Sequence, residues 1–171
     1  MITKNLFLVT TIFSLFLTSC SNNQNSTPPK EENQVGIIKG NDFRSKAMIK
    51  FTDAYVNNDL NSVSDLFIED AKIMINDADL TFTEMAAGFS GGHNYFDNIR
   101  HEERDAFTMH YKEGDIAGNI YTHYWYTWKA TSKKTGEEIS IRGYSWMKWR
   151  GDKVEAVYNA FDPTLYNASI N

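Results

Sequence analysis

The chain has 171 residues, a formal net charge of −5 and 14% aromatic residues. Because it has no cluster of Lys and Arg that could neutralise a row of phosphates, we expect no nucleic-acid partner. The single cysteine allows no disulfide within the chain, and the length fits one domain with a sizeable core. Aromatic side chains stabilise such a core and also line ligand pockets.

The N-terminus has the pattern of a secretory signal. Residues 1–19 carry one charge, at Lys4, and an apolar run of about a dozen residues that is too short to span a bilayer. The segment Leu17-Thr18-Ser19-Cys20 resembles the lipobox of bacterial lipoproteins, in which the cysteine is acylated and becomes the first residue of the mature chain. The resemblance implies a membrane-attached protein of the bacterial cell envelope. With Ser21 after the cysteine, the segment resembles that of lipoproteins sorted to the outer rather than the inner membrane. A secreted protein with a free thiol is the alternative.

Residues 20–40 are interpreted as the lipidated Cys20 and a flexible tether. Residues 21–34 are Ser, Asn, Gln, Thr, Pro, Lys and Glu, which offer nothing for a core to bury. The folded domain is therefore predicted over residues 41–171.

Helices are predicted in the first part of this domain. Apolar residues spaced by four after Asn41, which can act as the cap, predict a helix over about 43–55, and a short helix is predicted over 60–67. The β-branched segment 71–75 predicts a strand. A third helix is predicted from Thr81 or Thr83, with a capping box between Thr81 and Glu84, and Gly91-Gly92 interrupts it.

A further helix is predicted over residues 93–101. On it His93, Asp97 and His101 would share one face, but the two histidines would lie about 12 Å apart, too far to bind one ion together. We therefore expect no metal site, and no motif calls for a cofactor.

The second half of the domain is rich in β-branched and aromatic residues. Four runs, 107–112, 119–130, 139–150 and 154–161, are joined by short connections and predict an antiparallel meander. Helices followed by a meander indicate an α+β domain, in which a curved antiparallel sheet wraps around the N-terminal helices as a cone.

Three segments resemble the nuclear transport factor two-like superfamily, in its SnoaL-like branch with ketosteroid isomerases, scytalone dehydratase and limonene epoxide hydrolases. They are the helix around 51–55, the entry to the first strand at 66–71, and the ending 149–154 with the later pair Phe161-Asp162. The resemblance implies the cone-shaped fold and a homodimer formed through the sheet. It does not imply an activity, because the fold hosts many functions.

Strand alternation selects candidate pocket residues. In 139–150 the odd positions, which include Ser145, are predicted to face the interior, and the even positions Tyr144 and Trp146 the outside. In 119–130 both faces are aromatic: His123 and Trp125 lie on one, and Tyr124, Tyr126 and Trp128 on the other. Parity alone leaves open which face is internal.

The candidate catalytic residues are Asp77 and His123, either of which could be a general base. The resemblance places Asp77 near the catalytic carboxylate of ketosteroid isomerases, and Asn159 near a carboxylate of limonene epoxide hydrolases. An amide cannot act as a base there, but it can hydrogen-bond a ligand.

We expect Trp125, Ser145, Asn159 and His93 to contact the ligand. The favoured function is non-catalytic or accessory binding of a small, largely apolar or aromatic molecule. A lyase, isomerase or hydrolase of a small hydrophobic substrate and a structural envelope subunit with a filled cone are the alternatives.

Overall fold

The structure, a computed structural model, describes residues 35–170. The predicted signal peptide, the lipidation site Cys20 and the tether up to residue 34 lie outside the described residues. In this part of the chain, no helix has both the length and the hydropathy needed to cross a membrane.

The described residues form three α-helices, one 3₁₀ helix and seven strands. In chain order they are β1 (Gly36–Lys39), α1 (Phe43–Val56), the 3₁₀ helix (Leu60–Leu66), β2 (Phe67–Ile75), β3 (Ala78–Leu80), α2 (Phe82–Gly92), β4 (Phe96–Tyr111), β5 (Ile120–Ser132), β6 (Glu138–Arg150), β7 (Lys153–Phe161) and α3 (Thr164–Ile170). The predicted α+β class is confirmed.

All seven strands belong to one sheet, in the order β1-β4-β5-β6-β7-β2-β3. The meander from β4 to β7 is antiparallel, as predicted, but β2 pairs with β7 in parallel, so the sheet is mixed. The buried core lies between the inner face of this sheet and the helices.

The start of the folded unit differs from the predicted boundary at residue 41. Residues 36–39 form β1 and pair with 108–111 of β4, so the last residues of the predicted tether belong to the sheet. The pattern Gly-Ile-Ile-Lys is short, and only its pairing with β4 makes it a strand.

Two helix N-termini are capped by local side chains. Asp42, rather than the predicted Asn41, caps α1 and accepts a hydrogen bond from the Ser45 amide at 2.9 Å. The predicted capping box at Thr81 and Glu84 is confirmed.

The predicted helix over 93–101 is wrong, because residues 96–101 begin the long strand β4. A register shift between Asp97 and Arg100 inserts an extra residue at Asn98, whose φ is +54°. The buried residues Phe96 and Ile99 are therefore three apart, a spacing that imitates a helix. His93, Asp97 and His101 consequently share no helical face.

A chain of hydrogen bonds holds α1 on the sheet. Trp149 Nε1 donates to Thr122 Oγ1 at 2.9 Å, the hydroxyls of Thr122 and Thr108 lie 3.0 Å apart, and Thr108 Oγ1 donates to Asp42 Oδ1 at 2.8 Å. The two threonines are fully buried. The chain links β6, β5 and β4 to the cap of α1 and so fixes the helix over the inner face.

Candidate functional site

A cavity of about 180 Å³ lies between the inner face of the sheet and the helices. Its walls come from α1, α2, α3 and strands β2, β4, β5, β6 and β7. The lining residues are Met48, Phe51, Thr52, Tyr55, Ile75, Met85, Phe89, His101, Tyr124, Tyr126, Trp128, Ile141, Ser145, Val157, Asn159, Phe161 and Tyr166.

Local periodicity explains why these residues meet. On β5 the alternation sends Tyr124, Tyr126 and Trp128 inward, and on β6 it sends Ile141 and Ser145 inward. The inward face of β6 is the predicted one, and the structure settles the choice that parity left open for β5.

Tyr126 forms part of the cavity floor by crossing over Gly143 on the neighbouring strand. A Cβ at Gly143 would lie 2.2 Å from Tyr126 Cζ, so only glycine leaves room for this ring. The Tyr126 hydroxyl reaches β7 and donates to Asn159 Oδ1 at 2.8 Å. The imidazole of His101 stacks on Tyr126 with 4.3 Å between ring centroids and an angle of 6°.

His101 is the only residue of the cavity lining with a basic side chain. Its Nδ1 lies 3.0 Å from the Tyr124 hydroxyl, whereas its Nε2 makes no hydrogen bond to residues 35–170. Burial, with a smaller effect of the Arg104 guanidinium, lowers the pKa of His101 from 6.5 to about 3. The imidazole is therefore neutral at physiological pH.

Another part of the cavity wall is formed by Tyr55 of α1 and Tyr166 of α3. Trp128 Nε1 donates to the Tyr55 hydroxyl at 2.8 Å. Tyr166 of α3 packs on Phe96 and Trp128, with centroids 4.9 and 5.9 Å apart. Burial raises the pKa of Tyr55, and this hydroxyl stays protonated.

The cavity carries no formal charge at neutral pH. Its lining contains no Asp, Glu, Lys or Arg, and burial also raises the pKa of Tyr126. Within residues 35–170 no group of three or more His, Cys, Asp and Glu side chains could hold a metal ion. An uncharged, largely aromatic cavity suits a neutral, largely apolar ligand.

Two of the predicted ligand contacts, Ser145 and Asn159, do line the cavity. Ser145 Oγ donates to the Tyr158 carbonyl oxygen at 2.7 Å, and Asn159 holds the Tyr126 hydroxyl. Their contact with a ligand stays a prediction.

The predicted meeting of His123, Trp125 and Asp77 in this cavity is wrong. His123 and Trp125 lie on the outer face of β5, because the inward positions of this strand are the even ones. His123 Nδ1 is 2.6 Å from the Tyr144 hydroxyl, and the Trp125 ring, 52% exposed, packs on Tyr144. Asp77 is exposed in the turn between β2 and β3.

His93, the remaining predicted ligand contact, lies behind the cavity wall. Its Nε2 donates to the Tyr55 carbonyl oxygen at 2.9 Å, and its ring packs on the Tyr55 ring, so Tyr55 separates it from the cavity. The structure thus gives it a supporting position.

His101, Tyr55 and Tyr166 are pocket residues that the sequence analysis did not select. The sequence analysis places His101 on a helix, because the bulge in β4 conceals the alternation of that strand. Only the β4–β5 ladder, in which His101 pairs with the inward-facing Trp128, shows that His101 faces the cavity. Tyr166 lies beyond the segments that carried the family resemblance.

No protein-family model matches the chain, and no curated protein matches it either. Solved structures do resemble it. An NTF2-like protein from Burkholderia xenovorans has a TM-score of 0.57 at 12% identity, covering 78% of this chain and 100% of that one. A putative hydroxylase, AclR, from Streptomyces galilaeus has a TM-score of 0.56 at 16% identity, covering 74% and 94%.

A third similar structure is a hypothetical protein from Catenulispora acidiphila with a ketosteroid isomerase-like fold, in complex with trimethylamine. Its TM-score is 0.51 at 13% identity, and the match covers 67% of this chain and 84% of that one. At these identities the likeness establishes the fold, which is nuclear transport factor two-like.

Proposed function

We propose that the protein binds a small, neutral, largely apolar or aromatic molecule in the cavity on the inner face of the sheet. One observation carries the proposal: the cavity of about 180 Å³ is lined almost entirely by apolar and aromatic side chains and contains no charged one. An apolar protein cavity of about 150 Å³ is known to bind benzene, so a substituted benzene fits this volume.

Binding without chemistry is supported better than catalysis. A general base must lie within hydrogen-bonding reach of the substrate, and Asp77 and His123 lie outside the cavity. His101 lies inside, but its lowered pKa makes it a very weak base. A structural subunit with a filled cone is also less well supported, since the cone contains a cavity. The trimethylamine complex of one similar structure supports small-molecule binding as a use of this fold.

The proposed function is tested with acetophenone as the probe and two neighbouring substitutions. Val157 is buried and lines the cavity, whereas Ala156 alternates to the outer face of β7. We expect NMR titration to give acetophenone a Kd of about 1 mM or tighter in the unsubstituted protein. Val157→Phe should fill the cavity and abolish binding, and Ala156→Phe should preserve it. Equal binding by both folded variants would contradict the proposal.

We also propose that acyl chains on Cys20 attach the protein to a membrane of the bacterial envelope, with the outer membrane favoured. The support is the sequence Leu17-Thr18-Ser19-Cys20 after an apolar run. Cys20→Ser should release the protein from the membrane fraction and remove the mass of the acyl chains. A variant that stays in the membrane fraction with unchanged mass would contradict this proposal.

A further inference from the structure

The elements of the cavity wall are not all held equally firmly. Backbone hydrogen bonds join the strands, and the side-chain chain described above ties α1 to the sheet. The helix α3 has only seven residues, and within residues 35–170 its hydrogen bonds are internal or reach Asp162 and Pro163, which directly precede it. A helix this short is stable only through its packing. Detaching α3 therefore costs less free energy than moving α1 or a strand.

On this side of the cavity, a single helix separates the interior from solvent. Tyr166 of α3 lines the cavity. Four of the seven residues of α3 are exposed, so no other described element covers its outer side; they are Thr164, Leu165, Asn167 and Ala168. A displacement of α3 would therefore open the cavity directly to solvent.

Tyr166 is the largest of the residues that hold α3 on the domain. Its ring packs on Phe96 and Trp128, with 4.9 and 5.9 Å between ring centroids. Its hydroxyl lies over Gly92, the last residue of α2, where a Cβ would be 2.6 Å from the hydroxyl oxygen but 3.7 Å from Tyr166 Cζ. Glycine at position 92 thus leaves a notch for this hydroxyl. Because two aromatic neighbours confine the ring, an obstacle in the notch displaces α3 together with the ring.

We infer that α3 is a lid on the cavity: the ligand enters and leaves when α3 moves away, and Tyr166 seated on Gly92 is the latch that sets the rate of this exchange. The inference rests on the proposed binding function and adds the route that the ligand takes. The hinge is formed by Asp162 and Pro163, which connect β7 to α3. Asp162 Oδ1 accepts a hydrogen bond from the Thr164 amide at 2.9 Å, so the first turn of the lid stays capped as the hinge moves.

Gly92→Ala tests the latch, and Gly91→Ala is its matched control. The methyl group at position 92 meets the Tyr166 hydroxyl, whereas a Cβ at position 91 meets nothing within 4 Å. NMR relaxation dispersion with acetophenone gives the association and dissociation rate constants. We expect Gly92→Ala to raise both about fivefold, the lower end of the range for overpacking, and to keep the Kd within about twofold. The Kd is kept because the latch is closed in the free and in the bound protein. Gly91→Ala should change none of the three.

A rescue experiment separates the latch from every other effect of alanine at position 92. Tyr166→Phe removes the hydroxyl oxygen, and the ring carbon that remains, 3.7 Å away, is in ordinary contact with the new methyl group. Gly92→Ala combined with Tyr166→Phe should therefore return both rate constants to within about twofold of the unsubstituted protein. Hydrogen exchange of the α3 amides reports the same lid without a ligand, and it should be faster in Gly92→Ala and slow again in the double variant.

The outcomes separate the inference from the proposed function. If acetophenone binds but exchanges at the same rate in Gly92→Ala and Gly91→Ala, the ligand takes another route and the lid inference alone is wrong. A double variant that still exchanges as fast as Gly92→Ala also overturns the inference, because the hydroxyl is then not the latch. If acetophenone does not bind the unsubstituted protein up to its solubility limit, the proposed function is wrong and the inference falls with it.

Discussion

Gly143→Ala should damage the cavity floor although it adds only one methyl group. The new Cβ would lie 2.2 Å from Tyr126 Cζ and 2.3 Å from the hydroxyl oxygen. Carbon atoms in contact normally lie about 3.5 Å or more apart, so the ring must move by more than about 1 Å. That movement breaks the bond from Tyr126 to Asn159 and the stack with His101. We expect a loss of about 2–3 kcal/mol in the free energy of unfolding, from overpacking and one lost hydrogen bond.

The assay is a double-mutant cycle of Gly143→Ala and Tyr126→Ala, in which guanidinium denaturation gives the free energy of unfolding of each protein. Once the ring is removed, an alanine at position 143 meets no obstacle from it, and the second substitution should cost no more than about 0.5 kcal/mol. The predicted coupling energy is thus at least about 1.5 kcal/mol. Gly88→Ala is the matched control, because a Cβ in the middle of α2 meets nothing within 4 Å and should stabilise the helix by about 0.5–1 kcal/mol. Additive effects of the two cavity substitutions would refute the reasoning.

Three more predictions concern the hydrogen-bond chain, the buried histidine and the outer face. Thr122→Val leaves Trp149 Nε1 without its acceptor and should lower the free energy of unfolding by about 1–3 kcal/mol in denaturant titrations; an unchanged midpoint would contradict the role of the chain. The pKa of His101 is about 3 in the folded protein and 6.5 in the unfolded chain, so acid protonates only the unfolded state. The stabilisation by this group is complete above pH 6.5, and the free energy of unfolding should fall by up to about 1.4 kcal/mol per pH unit towards pH 3. His101→Phe should reduce this slope, and an equal slope in both proteins would contradict the prediction. Trp146 lies on the outer face against Tyr121, with 5.3 Å between ring centroids, and we propose that this face forms a homodimer. Trp146→Glu should then give a monomer in sedimentation, and a monomeric unsubstituted protein would contradict the proposal.

Local sequence signals predicted much of the fold. The sequence predicts the helix that contains Tyr55, the capping box at Thr81 and the four runs of the meander. Each of these depends on periodicity or on residues within a few positions of one another. The family resemblance added the curved sheet around the helices, and the solved structures bear out that fold.

Long-range pairing accounts for what the sequence did not predict. The strand β1 exists because it pairs with β4, and the parallel contact between β2 and β7 joins segments about 85 residues apart, such as Ile75 and Asn159. Because of the bulge at Asn98, the start of β4 has the residue spacing of a helix. The sequence analysis therefore predicts a helix there and does not select His101 as a pocket residue.

The site was predicted only in part for a similar reason. Ser145 and Asn159 belong to strands with a clear inward face, and both line the cavity. On β5 both faces are aromatic, and only packing against the helices decides that Tyr124 faces inward while His123 faces outward.

The most direct test of the binding function is to locate bound acetophenone by nuclear Overhauser effects in the unsubstituted protein. We predict contacts from the probe to the ring protons of Trp128 and Tyr166, which face the cavity from β5 and α3. Contacts confined to Trp125 and Tyr144 on the outer face of the sheet would contradict the account.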